Sequence, residues 1–261
     1  MKYLPGITII TVNLNNGIFI KDTIESVLNQ NKIIDLEYII IDGKSCDKSV
    51  DIIKSYENKF KKKGFIFKWI SEKDNGIYDA MNKGLKLAKG KIIGFLNSGD
   101  YYADNFTLFY VLGSFNSMDI DSLYGNLEYI KKNNKHKITR YWKSGQYDKK
   151  KFLYGWMCPH LTFFVKKNIF DKYGIFNTDF KISADYELIL RFLYKYNIST
   201  YYLDKILVIM RTGGISNNSL KNFLITFLEN KKAWKLNNLK LNWYTLYLKK
   251  TIKLKQFITK K

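Results

Sequence analysis

The first hundred residues alternate between two hydrophobic periods. Ile7-Thr8-Ile9-Ile10-Thr11-Val12 is a β-branched run suited to a strand buried on both faces. Ile20, Ile24, Val27, Leu28 and Asn31 then follow helical spacing, after the start signal Asn15-Asn16-Gly17. Residues 36–41 predict a second strand, 49–60 a second helix and 65–70 a third strand. Ile77, Ala80, Met81, Gly84, Leu85 and Ala88 trace one helical stripe closed by Gly90, and 91–96 predict a fourth strand. Strands joined by helices imply right-handed crossovers and a mostly parallel, doubly wound sheet.

Beyond residue 100 the periods are less regular. Residues 123–130 and 137–142 predict a hairpin around the polar Lys131–Lys135 stretch. A strand is expected at 160–166, a helix at 185–196, and a short strand at 206–210 before Gly213-Gly214. From Leu220 the pattern is helical and strongly basic, with 11 lysines against the single acid Glu229. Phe223, Leu224, Phe227, Leu228, Trp234, Trp243, Leu246, Tyr247 and Phe257 are interleaved with those lysines. Such a tail fits either an interfacial helix on an anionic bilayer or a helix packed on the rest of the chain with its lysines in water.

Composition narrows the classes. The 261 residues are 46% hydrophobic, enough for a large core, and carry a net charge of +21. Only Arg140, Arg191 and Arg211 supply the guanidinium fork on which sequence-reading nucleic-acid proteins rely, so no specific nucleic acid is expected. Cys46 and Cys158 make neither a disulfide framework nor a metal motif, and His136 and His160 are too few for a multi-histidine zinc site. The apolar run near the N-terminus stops at Asn13, short of a signal peptide, and no stretch reaches the ~20 apolar residues of a spanning helix. The expectation is a cytoplasmic protein, with peripheral contact to the inner face of the cell membrane open to it.

Each polar cluster of the first hundred residues follows a predicted strand. These are Asn13–Asn16, Asp42–Asp47, Glu72–Gly76 and Asn97–Asp100. Open α/β sheets bind ligands outside the carboxyl ends of their strands. Neither common phosphate loop is present: one glycine follows strand one, and Gly43-Lys44-Ser45 has Tyr38 where a P-loop needs glycine. A diphosphate would then be neutralised by a carboxylate-held divalent cation.

These stretches resemble family-2 glycosyltransferases of the GT-A fold, especially bacterial enzymes of capsule, exopolysaccharide and lipopolysaccharide assembly. The resemblance runs through Ile9–Asn15, Ser26–Gln30, Ile40–Asp47, Ser71–Gly84 and Gly94–Asp100, with a second region from Pro159 to Leu188. It implies an α/β fold of GT-A type, a mostly parallel twisted sheet flanked by helices. Residues 1–219 would be the catalytic domain, with 1–100 the nucleotide-sugar half and 101–219 the acceptor half. Residues 220–261 would form a basic helical C-terminal extension.

The resemblance also assigns roles. Asp42 matches the first acid of the family's Asp-Asp-Gly-Ser stretch at the donor base, while Gly43 replaces the second. A carboxylate there accepts the imide N–H of uracil or the N1–H and N2–H of guanine, and adenine offers no equivalent. Thr11, Asn13, Asn15, Asp74 and Asn82 would line the donor pocket. Asp100 keeps the acid the family uses for Mg²⁺ or Mn²⁺, although Gly99 replaces the neighbouring ribose acid. Asp185 matches the catalytic base, and also reads as an acid in the first turn of a helix. His160 and Arg191 would lie on the acceptor or diphosphate side. Arg211 precedes Thr212–Ser216, where the family has a segment that closes over the substrates.

The implied reaction moves a sugar with inversion from a UDP- or GDP-sugar to a hydroxyl of a glycan or lipid-linked glycan. Two other readings compete. One is a nucleotidyltransferase, which would use a Gly-rich basic loop after strand one. The other is a basic module for nucleic acid or anionic membrane, against which the acids gathered on one sheet edge speak.

Overall fold

The structure, a computed structural model, describes residues 6–33, 35–213 and 220–258, and the side chains of all of these except 220, 253–255, 257 and 258. Most of the Thr212–Ser216 segment and the side chain of Phe257 therefore lie outside the described residues.

The first half follows the hydrophobic periods closely. Strands β1 (Ile7–Asn13), β2 (Leu36–Asp42), β3 (Ile66–Ser71) and β4 (Ile92–Phe95) alternate with helices α1 (Ile20–Leu28), α2 (Ser49–Ser55), α3 (Glu57–Lys62) and α4 (Ile77–Leu87). β1 and β2 are buried at every position, as their β-branched runs require, whereas β3 forms the partly exposed edge. The expected 49–60 helix breaks at Tyr56, whose hydroxyl donates to Glu25 Oε1 at 2.8 Å. These four strands are parallel in the order β3-β2-β1-β4.

The second half extends the same sheet with mixed direction. β5 (Tyr101–Tyr102), α5 (Thr107–Ser117), β6 (Ser122–Lys131) and β7 (Asn134–Trp142) come first. β8 (Phe164–Lys166), α6 (Lys167–Tyr173), α7 (Ala184–Ile189) and β9 (Thr200–Arg211) follow. The sheet continues from β4 through β8, β6 and β9 to β5, with β7 paired to β6 as the expected hairpin. β6 and β9 are parallel, and the other pairings in this half are antiparallel.

Two local expectations change. Residues 160–162 form a 3₁₀ turn rather than the start of a strand, because Thr162 Oγ1 donates to the carbonyls of Pro159 and Gly125. The short strand at 206–210 becomes the 12-residue β9, lengthened by its pairing with β6. Helices α5 and α6 had no expectation.

The extension consists of α8 (Leu220–Leu236) and α9 (Thr245–Ile258), both docked on the rest of the chain. Trp234 and Leu246 are buried, and Thr245 Oγ1 donates to Leu153 O at 2.7 Å. Phe223, Leu224, Leu228, Trp243 and Tyr247 are exposed. Packing and an outward aromatic surface thus coexist on different faces. Among the described residues no helix is long and apolar enough to cross a membrane.

Candidate active site

The crevice begins where β1 and β2 end side by side, with Asn13 in register with Asp42. Asp42 is fully buried, and its carboxylate collects four donors. Asn13 Nδ2 and Ser45 Oγ donate to Oδ1 at 2.6 Å, and Ser45 N (2.9 Å) and Ser71 Oγ (2.7 Å) donate to Oδ2. Two of these donors are hydroxyls, which rotate freely enough to release a lone pair to an incoming N–H. Asn13 Oδ1 is buried with no hydrogen-bond partner among the described residues. Asn15 holds the adjoining turn in left-handed conformation (φ 48°), its Oδ1 accepting from Cys46 N at 2.9 Å.

Asp74 comes to the same place from β3. Its Oδ1 pairs with Lys83 at 2.7 Å, and its Oδ2 lies where a Cβ on residue 43 would approach to 3.0 Å. The bare Gly43 thus leaves room for a carboxylate from another strand. The hydrogen bonds that the Lys83 ammonium donates to Asp74 and Glu72 hold it above its ordinary pKa.

The turn after β4 carries the second group. Gly99 has φ 100°, a conformation that L side chains rarely adopt and that glycine adopts without strain. Thr23 Oγ1 fixes this turn, accepting from Gly99 N (2.8 Å) and donating to Asp100 O (2.7 Å). Asp100 Oδ1 accepts from the backbone amide of Arg211 at 3.0 Å. Burial pushes the Asp100 carboxyl up to about 7, against the opposing pull of Arg211. Beside it Asn97 Oδ1 is buried and unpartnered among the described residues. The Arg211 guanidinium bonds Gly99 O and Asp22, and lies against the rings of Phe19 and Tyr101.

The third group faces these across a cleft of about 330 Å³. Asn97, His160, Asp185 and Arg211 all line it, as do Trp142, Trp156 and Lys249. Asp185, at the start of α7, is half-buried; its Oδ1 accepts from Tyr186 N at 2.8 Å and Tyr78 Oη at 3.3 Å. His160 stacks on Phe95 at 5.4 Å and meets Phe176 edge-on. Burial lowers its pKa despite the nearby Asp185 charge, which leaves a neutral ring whose Nε2 has no partner among the described residues.

Three expected site residues have their polar atoms engaged by the protein itself. Thr11 is completely buried, donating to Leu96 O (2.7 Å) and accepting from Tyr38 (3.0 Å). Asn82 ties α4 to the backbone of Phe176 through both amide atoms, at 2.9 and 3.1 Å. Arg191 pairs with Glu187 at 2.9 Å and holds the carbonyls of Tyr173 and Ile175. These side chains build the scaffold around the site. From sequence, Asn97 has no role beyond its place in the Asn97–Asp100 cluster, and Asp22 and the tail residues that reach α7 have none. Of these only Glu229, the lone acid among lysines, gave a signal.

Residues 8–174 match the model of glycosyl transferase family 2, and the chain belongs to that family. An uncharacterized glycosyltransferase of Mycobacterium tuberculosis is 30% identical over 206 residues, 73% of this chain and 70% of the relative. Staphylococcus aureus TarS 1-349, solved with UDP-GlcNAc, superposes with a TM-score of 0.67 at 17% identity, over 94% of this chain and 70% of that one. Mannosyltransferase PcManGT of Pyrobaculum calidifontis, solved with GDP-Man and Mn²⁺, gives 0.64 at 13%, over 96% and 74%. The fold is therefore the GT-A type of α/β architecture. Family membership sets aside the nucleotidyltransferase and basic-module readings.

Proposed function

We propose that this glycosyltransferase moves a sugar with inversion from a UDP- or GDP-sugar to a hydroxyl of a glycan or lipid-linked glycan, in bacterial surface polysaccharide assembly. The observation that carries this reading is the cleft in which Asn97, at the start of the turn that leads to Asp100, and Arg211, whose amide binds Asp100, share a lining with Asp185. The donors solved in the two structural neighbours, UDP-GlcNAc and GDP-Man, are of the class proposed here.

In this reading Asp42 and Asn13 take the donor base, with Ser45 and Ser71 turning their hydroxyls aside, and Asp74 and Asn15 border the nucleoside. Among the described residues no three His, Cys, Asp or Glu side chains gather into a metal site. The donor set still suits Mg²⁺ or Mn²⁺: Asp100 with the unpartnered Asn97 Oδ1 offers hard oxygens, and such ions keep their remaining positions for water and phosphate. When bound, the ion would supply charge neutralisation for the leaving diphosphate. Arg211 keeps a second positive charge beside that turn. Asp185 accepts the acceptor's hydroxyl proton as that oxygen attacks the anomeric carbon, and neutral His160 completes the wall between them. Trp142 and Trp156, which line the same cleft, border the acceptor.

Incubation with a panel of nucleoside-diphosphate sugars and Mn²⁺ tests the reading. UDP- or GDP-sugars should be consumed, and the product's anomeric configuration by NMR should be opposite to the donor's. Retained configuration would overturn the single displacement.

Peripheral membrane contact is proposed for the outer faces of α8 and α9. Its support is the exposure of Phe223, Leu224, Leu228, Trp243 and Tyr247 in a segment carrying a large excess of lysine.

A further inference from the structure

The matched family region ends at residue 174, yet the extension reaches back to the candidate base. The buried stripe of α8 is Glu229, Asn230, Ala233 and Trp234, continued by Asn237 just past its end. Glu229, 8% exposed, spends its whole carboxylate on three consecutive backbone amides. Oε1 accepts from Lys181 N at 2.7 Å, and Oε2 accepts from Ile182 N (3.0 Å) and Ser183 N (2.9 Å). These amides lie immediately before α7, whose N-cap Ser183 makes no side-chain cap of its own. Asp185 follows two residues later.

Further contacts fix the same stretch. Tyr78 Oη donates to Ile182 O at 2.6 Å, so the loop is gripped through its carbonyl from α4 and through its amides from α8. Further along, Trp234 Nε1 donates to Tyr186 Oη at 2.8 Å, and Asn237 Nδ2 to Glu187 Oε1 at 2.9 Å. Tyr186 and Glu187, the two α7 residues after Asp185, are thus held by Trp234 of α8 and by Asn237 just past its end, while Asp185 itself lines the cleft. Three N–H donors converging on one carboxylate make a charge-assisted anchor that neutral side chains do not reproduce.

We propose that Glu229 is a positioning residue for catalysis: by clamping the 181–183 amides, it sets the direction in which Asp185 meets the acceptor hydroxyl. This rests on the reading of Asp185 as the general base. A misplacement of about 1 Å at a reacting group can cost ~10²-fold in rate, so a remote clamp of this kind has kinetic leverage.

The test compares Glu229→Gln, Asp185→Asn and the double variant in the full chain. Gln keeps the shape but offers one acceptor oxygen and turns an N–H₂ toward an amide. Glu229→Gln is expected to lower kcat by about 10–100-fold, with KM for the donor and calorimetric affinity for UDP with Mn²⁺ within about twofold of wild type. On the Asp185→Asn background the same change should add almost nothing, since the two residues act through one proton transfer. Wild-type kcat in folded Glu229→Gln, or a fully additive loss in the double variant, overturns the positioning role. Wild-type turnover in Asp185→Asn alone overturns the base assignment instead, which separates the two failures. Should Glu229→Gln not fold by circular dichroism, Glu229→Asp serves in its place. Its carboxylate is one methylene shorter, and an intermediate kcat loss with unchanged UDP affinity is expected. Unaltered kcat there would equally refute the clamp.

Discussion

The backbone amide of Arg211 donates to the Asp100 carboxylate at 3.0 Å, across 111 residues of sequence. The end of β9 therefore closes on the turn after β4, and the Arg211 side chain continues to Gly99 and Asp22. One contact brings the late half of the chain to the acid that the early half leaves at its strand end.

That acid should report on pH. A carboxyl held near 7 in the fold, against ~3.9 unfolded, takes up a proton on folding. Native stability therefore falls as pH rises between these values. Asn carries no such penalty and keeps an oxygen for the Arg211 amide. Metal-free Asp100→Asn should gain melting temperature over wild type progressively from pH 5 to 7, then hold a constant margin of a few degrees. The same variant should lose Mn²⁺-stimulated transfer. A pH-independent margin in differential scanning fluorimetry would show that burial does not control Asp100.

Asp185→Asn should lower kcat by about 10²–10⁴-fold, the usual contribution of a lost general base, and leave donor KM nearly unchanged. Steady-state kinetics at saturating acceptor decide this. A rise in donor KM with kcat preserved would move Asp185 into the donor pocket.

Nucleotide choice follows from the Asp42 environment. UDP or GDP with Mn²⁺ should raise the melting temperature, because ligand binding to the native state stabilises it by mass action, and ADP should not. Equal protection by ADP would mean that Asp42 does not read a ring N–H.

The membrane proposal needs surface substitutions rather than truncation, since removal of α8 would also remove Glu229 and the buried Trp234. Phe223→Ser, Leu224→Ser and Trp243→Ser together should abolish salt-sensitive co-sedimentation with vesicles containing anionic lipid, while leaving turnover on a soluble acceptor intact. Undiminished sedimentation of the triple variant would place the contact elsewhere. Lysines near such a surface contribute about 1 kcal/mol each, so a few are sufficient for reversible attachment.

Much of the first half was legible because its signals are local. Runs such as Ile7–Val12 and the Ile77–Ala88 stripe state their own period, and parallel topology then gathers the polar strand ends on one edge. The direction of individual side chains was not legible, because it depends on partners far along the chain. Thr11 is claimed by Leu96, 85 residues away, and Asn82 by Phe176, 94 residues away. The packed face of the tail was hidden for a related reason. Phe223, Leu224 and Leu228 are all exposed, while the stripe that packs inward mixes Glu229, Asn230 and Asn237 with Ala233 and Trp234. A buried polar stripe has no hydrophobic period to betray it; its partners are the backbone and side chains around α7.

The insertion of β9 between β6 and β5 has a consequence for the order in which the molecule assembles. β2 pairs with β1 and with β3 across the short spans Ile7–Leu36 and Glu37–Ile66, at a smaller cost in chain entropy. β9 meets β6 with Thr200 opposite Ser122, and meets β5 with Ile209 opposite Tyr101, long loops that delay pairing. A refolding chain should therefore protect the amides of β1 and β2 from exchange early and those of β5 and β9 late. Asp100 receives its Arg211 amide only in that last phase, so the nucleotide-binding half acquires its shape before it acquires its charge balance.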